Sequence, residues 1–154
     1  MSAPFHLVKR KTEDAWENVI NALKGTNLAG LTIVKAFDTV TLKDARIEIM
    51  VPVAEPEKIG DIITGNYFVQ VFLTLISIKE DQTRTVHGLR AGELGDIIMR
   101  DDVEAQLNTA GGGVTDYHAF PPSWTPGTIT DTVENDIELH TEFTGEVKCA
   151  PSDF

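Results

Sequence analysis

The stretch YFVQVFLTLISI, residues 67–78, leaves the chain few ways to fold. It is shorter than the about 20 apolar residues of a membrane helix. It is rich in β-branched and aromatic residues and is closed by Lys79, Glu80 and Asp81. Such a run is a strand. Successive strand side chains point to opposite faces. Tyr67, Val69, Val71, Leu73, Leu75 and Ser77 therefore share one face, and Phe68, Gln70, Phe72, Thr74, Ile76 and Ile78 the other. Both faces are mostly apolar and both need cover: either the chain's own helices lie on both, or another copy of the protein covers one.

The partners of this strand are legible in the rest of the sequence. In TEDAWENVINALKG, residues 12–25, Trp16, Val19, Ile20 and Leu23 recur at i, i+3, i+4 and i+7, the stripe of an amphipathic helix. Thr12 suits the N-cap, Glu13 and Asp14 the first turn, and Gly25 a left-handed stop. LTIVKAF (31–37) is a strand, and Ile47, Ile49 and Val51 alternate with Arg46, Glu48 and Met50 in another that ends at Pro52. KIGDIITGN reads as a turn or short helical piece. In residues 85–109 Val86, Leu89, Leu94, Ile97 and Ile98, continued by Val103 and Leu107, suggest one apolar face and predict a helix over about 90–107, with Gly88, Gly92 and Gly95 making its start irregular. VENDIELHTEFTGEVK (133–148) alternates Ile137, Leu139, Thr141 and Phe143 with Glu138, His140, Glu142 and Thr144, a strand with one apolar and one acidic face. The expected class is α+β: a mixed or antiparallel β-sheet with two main helices packed on one face, in one domain over 1–154.

Charge is unevenly placed. The net charge is -11, yet Lys9, Arg10 and Lys11 stand in the first eleven residues without an acid, so removing their +3 leaves -14 on the remainder. Residues 1–11 are expected to be a flexible basic arm. From 128 onward seven acids face one base, Lys148; Glu134, Asp136, Glu138 and Glu142 are the candidate acidic surface. Phosphate binding needs clustered positive charge, so this is no nucleic-acid clamp. The single Cys149 excludes an internal disulfide and a thiolate metal cluster, and its late position reads as a solvent-facing or lightly packed thiol. The first residues hold no apolar stretch of signal-peptide length, and no spanning segment follows; a soluble product of a reducing compartment is expected.

Residues 109–127, TAGGGVTDYHAFPPSWTPG, hold four of the twelve glycines and three of the seven prolines beside Tyr117, Phe120 and Trp124. A loop this long is uncommon in a compact domain and usually functional, and its aromatic side chains need somewhere to dock. They either cap this chain's own core or reach a neighbouring subunit. Tyr117, Phe120 and Trp124, with Tyr67 and Phe68 of the two-sided strand, are the candidate interface residues.

No catalytic constellation is evident. His6, His87, His118 and His140 lack metal-site spacing, and no serine sits in a nucleophile elbow. Glu138, His140 and Glu142 share a strand face, but same-face neighbours stand about 7 Å apart, so a solvated acidic face is the better reading than a metal site. Asp101 and Asp102 read as solvated helix charge. Neither an enzyme activity nor a cofactor is expected. The competing reading is a small ligand-binding module or enzyme, with Tyr117, His118 and Trp124 lining a pocket under the 109–127 loop and Glu138 or His140 supplying polarity.

The order of elements resembles that of the tail-terminator proteins of long-tailed bacteriophages. The resemblance is carried by TEDAWENVINALKG, the strand pair DARIEIMVPV and NYFVQVFLTLISIKED, the helix around GDIIMRDDVEAQL, and the strand DIELHTEFTGEV. It implies a virion structural protein of the head-to-tail junction: a homo-oligomeric ring, a hexamer, assembled in the host cytoplasm. The ring would cap the tail-tube protein, stop its polymerisation and meet the head connector or adaptor. DNA would pass through without specific binding, and no membrane would be involved. The glycine-rich entry to the second helix and the length of the 109–127 loop depart from the pattern and keep open another neck, head-completion or tail-tube role.

Overall fold

The structure, a computed structural model, describes residues 5–35, 45–78, 83–108, 117–119, 123–124, 130–134 and 138–151. The first helix, α1 (Phe5–Leu23), begins seven residues before the expected start. Val8, Thr12, Ala15, Trp16, Val19 and Ile20 are all fully buried, so the stripe runs unbroken upstream of Trp16. Lys9, Arg10 and Lys11 are helical, not part of an arm; Arg10 is exposed and the two lysines are half-buried. Thr12 is accordingly no N-cap. It lies mid-helix with its hydroxyl donating to the Val8 carbonyl at 2.8 Å, a back-bond that satisfies a buried hydroxyl within a helix. Glu13 is buried at mid-helix too.

Gly25 does not take the left-handed stop; only Gly60 and Gly65 have positive φ among the described glycines. Its lack of a side chain serves another purpose. The Glu93 carboxylate accepts backbone N–H groups from Gly25 (3.0 Å), Asn27 (3.3 Å) and Leu28 (3.0 Å). A Cβ on Gly25 would stand 2.9 Å from Glu93 Oε1.

β1 (Thr32–Lys35) pairs parallel with β2 (Arg46–Ile59), which pairs antiparallel with β3 (Ile62–Ile78). β2 does not end at Pro52. Its register shifts between Met50 and Val53 and again between Pro56 and Lys58, so Pro52 falls in a bulge, where a missing N–H costs the ladder nothing. KIGDIITGN, expected as a turn or helical piece, closes this hairpin: Ile59 pairs with Ile62 around Gly60 and Asp61. Gly60 has φ +63°, the backbone state that two-residue hairpin turns require.

The second helical region is two helices, α2 (Thr83–Ile98) and α3 (Val103–Asn108), and Leu89, expected on their apolar face, is 55% exposed because it precedes the stretch of α2 that packs on the core. The break is at Arg100–Asp102. The Asp102 carbonyl accepts the Gln106 N–H at 3.0 Å, and its carboxylate takes Arg100 Nε at 2.8 Å and Gln106 Nε2 at 3.3 Å. Asp102 thus stands at the head of α3 with its carboxylate tied to Arg100 and Gln106, more than solvated charge.

β7 (Glu138–Pro151) pairs with β3 along twelve positions, from Tyr67 opposite Cys149 to Ile78 opposite Glu138. On its other edge lie β4 (Tyr117–Ala119), β5 (Ser123–Trp124) and β6 (Thr130–Glu134), all antiparallel to it. The expected strand over 133–148 is therefore a hairpin, since Val133 and Glu134 belong to β6. Ile137 lies outside the described residues. From Ala119 to Ser123 the outer segment advances four residues while β7 advances three, and from Trp124 to Thr130 six against three. β4, β5 and β6 thus pair in turn along one side of β7, and the chain has more residues between their ends than β7 has opposite them.

The fold is α+β, with seven strands in one mixed sheet among the described residues. α1 lies against β2 and β3, and α2 against β3 and β7. The helix-covered face carries Ile47, Ile49, Val51, Tyr67, Val69, Val71, Leu73, Leu75, Phe143 and Val147, all buried. Cys149, expected at the surface, is fully buried among them.

Candidate assembly surface

Directly paired residues share a sheet face, so the register defines the face turned away from the helices. Arg46, Ile76 and His140 form one cross-strand row, Glu48, Thr74 and Glu142 the next, and Met50, Phe72 and Thr144 a third. Gln70 with Glu146, and Phe68 with Lys148, continue it. Phe68 and Phe72 are half-buried, Gln70, Glu142 and Glu146 are exposed, and Met50 is 50% exposed. Arg46 is turned inward along this face and donates to Glu48 Oε2 at 2.7 Å. Glu134 and Glu138 are register partners in the same series as Glu142. Three of the four acidic positions expected as a surface therefore fall on one face; Asp136 lies outside the described residues.

Beyond Tyr67 no β7 partner flanks β3 among the described residues. There β2 and β3 continue as a two-stranded ribbon, which is weak without support. Its base is fastened by Glu57. This carboxylate meets Lys148 Nζ at 2.8 Å and accepts from the Thr64 hydroxyl at 2.9 Å and Asn66 Nδ2 at 3.4 Å. The hydrogen bond from Lys148, then that from Thr64, holds the Glu57 carboxyl below its ordinary range. Lys148 Nζ also lies 5.9 Å from the centre of the Phe68 ring, within cation–π reach. At the tip, Ile59 and Ile62 are 68% and 70% exposed.

Polar side chains also converge under α2. His87 is 4% exposed, with Nδ1 2.7 Å from Ser77 Oγ and Nε2 2.6 Å from Thr141 Oγ1. Arg90 Nη1 donates to Ser77 Oγ at 3.1 Å. Ser77 is only 1% exposed and Thr141 fully buried. A nucleophile must reach its substrate, so this contact binds α2 to β3 and β7 and has no access for chemistry. Among the described residues, no three His, Cys, Asp or Glu side chains are grouped to hold a metal ion.

Of the interface residues expected from sequence, Tyr67 is 3% exposed within the core, so its ring is not offered to a neighbour. Phe68 stays on the helix-free face under Lys148. Tyr117 and Trp124 sit on strand backbone opposite Pro151 and Gly145, two short strand pieces within the expected 109–127 loop, the rest of which lies outside the described residues. Phe120 lies outside the described residues. Sequence reasoning missed Met50, Glu57, Ile59 and Ile62. The isoleucine pair flanking Gly60-Asp61 is the signal that could have found the tip. No family model matches the chain, and no curated protein matches it.

Proposed function

We propose that this chain is a virion structural protein of the phage head-to-tail junction, a tail terminator whose copies form a ring on the tail tube and meet the head connector. The observation that carries the reading is the two-sided strand β3. Its Tyr67-to-Ser77 face is covered by the chain's own helices, whereas on the opposite face Ile76 is buried but Met50 is exposed and Phe68 and Phe72 are half-buried among acids, with no helix over them among the described residues. Apolar sheet surface left open in one copy is accounted for by a neighbour. A ring follows when the contact joins two different patches head to tail and the rotation closes. The acidic positions of β6 and β7 suit a passage for DNA, because like charge keeps phosphates from being gripped.

Light scattering on the purified chain, with electron micrographs of the same sample, tests this. The expected result is a closed ring of about six copies. A monomer at all accessible concentrations, absent also from assembled virions, overturns the reading. Truncating Phe120 and Trp124 together to Ala should weaken association while leaving the melting transition in place, since aromatic anchors dominate many interfaces at about 2 kcal/mol or more each.

A further inference from the structure

Past Tyr67 the β2–β3 hairpin has no third strand beside it among the described residues, and Lys58, Ile59, Gly60, Asp61 and Ile62 at its end are all exposed. Its base is irregular. Pro56 pairs with Tyr67 and Lys58 with Ile63, so Glu57 alone stands opposite Thr64, Gly65 and Asn66. Gly65 has φ +90°, although a Cβ placed there would meet nothing within 4 Å. The glycine therefore serves the turn of the backbone and not a close approach. Surplus residues of this kind bend a strand and interrupt its ladder, and here they do so where the hairpin parts from the sheet.

Glu57 bridges the irregularity in two directions. Its Oε1 accepts from the Thr64 hydroxyl and from Asn66 Nδ2 inside the hairpin, whereas Oε2 meets Lys148 Nζ on β7. β3 lies between β2 and β7, so the second contact reaches across a whole strand, and Lys148 passes near the Phe68 ring on the way. Among the described side chains, no other hydrogen bond or ion pair joins residues 57–66 to the rest of the sheet. We infer that residues 57–66 are an arm hinged at Gly65, and that the Glu57–Lys148 pair is the latch that fixes its direction relative to the sheet. Both latch residues belong to one chain, so the device does not depend on the ring reading. From Asn66 to Asp61 the arm is about 15 Å long at about 3.3 Å per residue, and a turn of about 30° at its base carries Ile59 and Ile62 through about 8 Å. With the latch closed the two isoleucines point one way; with it open they sweep an arc.

Hydrogen–deuterium exchange on the full chain tests the latch. Glu57→Gln keeps an acceptor for Thr64 and Asn66 but loses the charge that Lys148 meets, and Lys148→Met keeps the apolar stem beside Phe68 without the ammonium. In each variant the amides of 58–66 should exchange roughly tenfold faster, as expected for loss of a charge-assisted contact at a local opening. Exchange at 46–49 and 71–75, and the thermal midpoint, should match the unaltered chain. The double variant should behave as either single one does, because both break the same contact. Unchanged exchange at 58–66 in Glu57→Gln overturns the latch. Equal acceleration at 46–49 and 71–75 also overturns it, since the pair would then fasten the whole sheet and not one arm. A double variant roughly tenfold faster than both single ones overturns it as well, because the two residues would then act separately. A chain that stays monomeric defeats the ring reading and leaves every one of these outcomes readable.

Discussion

Glu93 shows how much one side chain can organise. Its carboxylate accepts three consecutive-turn N–H groups at residues 25–28 and so fixes the passage from α1 to β1 from a helix 65 or more residues away in sequence. Glu93→Ala should cost about 1–2 kcal/mol, since charged acceptors leave donors without an equal substitute; a denaturant midpoint measures it. Gly25→Ala should also destabilise, because the new Cβ meets Glu93 Oε1 at 2.9 Å. The two losses should not add, and a double-mutant cycle should show coupling of at least about 0.5 kcal/mol. His87 gives a second residue-scale prediction. Arg90 donates to Ser77 Oγ, so the Ser77 hydrogen is best placed on Nδ1, which leaves Nε2–H to donate to Thr141. Nitrogen NMR should find that tautomer; Nδ1–H would overturn the assignment. None of these partnerships was legible in sequence, because each joins positions brought together only by the sheet. Gly25 was recognised as special, but for conformational freedom instead of closeness to a carboxylate.

Elements were legible where a single period ran without interruption. Trp16, Val19, Ile20 and Leu23 marked the body of α1, but the basic triplet masked its beginning, although Val8 and Thr12 extend the same stripe. The central strand was found because both its parities are apolar. β2 was cut short at Pro52 because a proline normally ends a ladder, and the bulge that accommodates it is invisible without the partner's register. β4, β5 and β6 were hidden because strands of 3, 2 and 5 residues are too short for alternation to show. The acidic face of β7 was readable from alternation alone, whereas the ribbon tip was concealed inside KIGDIITGN. α3 carries a pH prediction. The hydrogen bond from Arg100 leads the causes that lower the Asp102 carboxyl from 3.8 to about 2. A depressed folded value means that its contribution is complete above 3.8 and disappears as pH falls through about 2. Carbon NMR of Asp102 should follow that titration, and Arg100→Gln should move it back up toward 3.8.

At the scale of the whole molecule, folding and association draw on different surfaces and should separate experimentally. Leu73→Ala, in the fully buried centre of β3, should cost about 2–5 kcal/mol of stability. Ile59→Lys with Ile62→Lys should shift stability by less than about 0.5 kcal/mol per site, as exposed positions do, so a comparable loss in both variants would mean that the ribbon is part of the folding core. The sheet also limits how copies can meet. Pro52, Pro56 and two register shifts interrupt the β2 edge, which discourages backbone-to-backbone extension and leaves side chains to mediate contact.

The burial of Cys149 has a kinetic consequence. Its strand is paired on both sides, to Tyr67 and to Ala119, and the thiol itself is fully enclosed. A thiol reagent can reach it only when the far end of β7 opens, so the rate of labelling becomes a clock for that opening. If the edge segment at 117–119 detaches on its own, labelling will run ahead of global unfolding; if the sheet opens only as a unit, the two rates will coincide. The lone cysteine thereby turns a question about local cooperativity into the half-life of one chemical reaction.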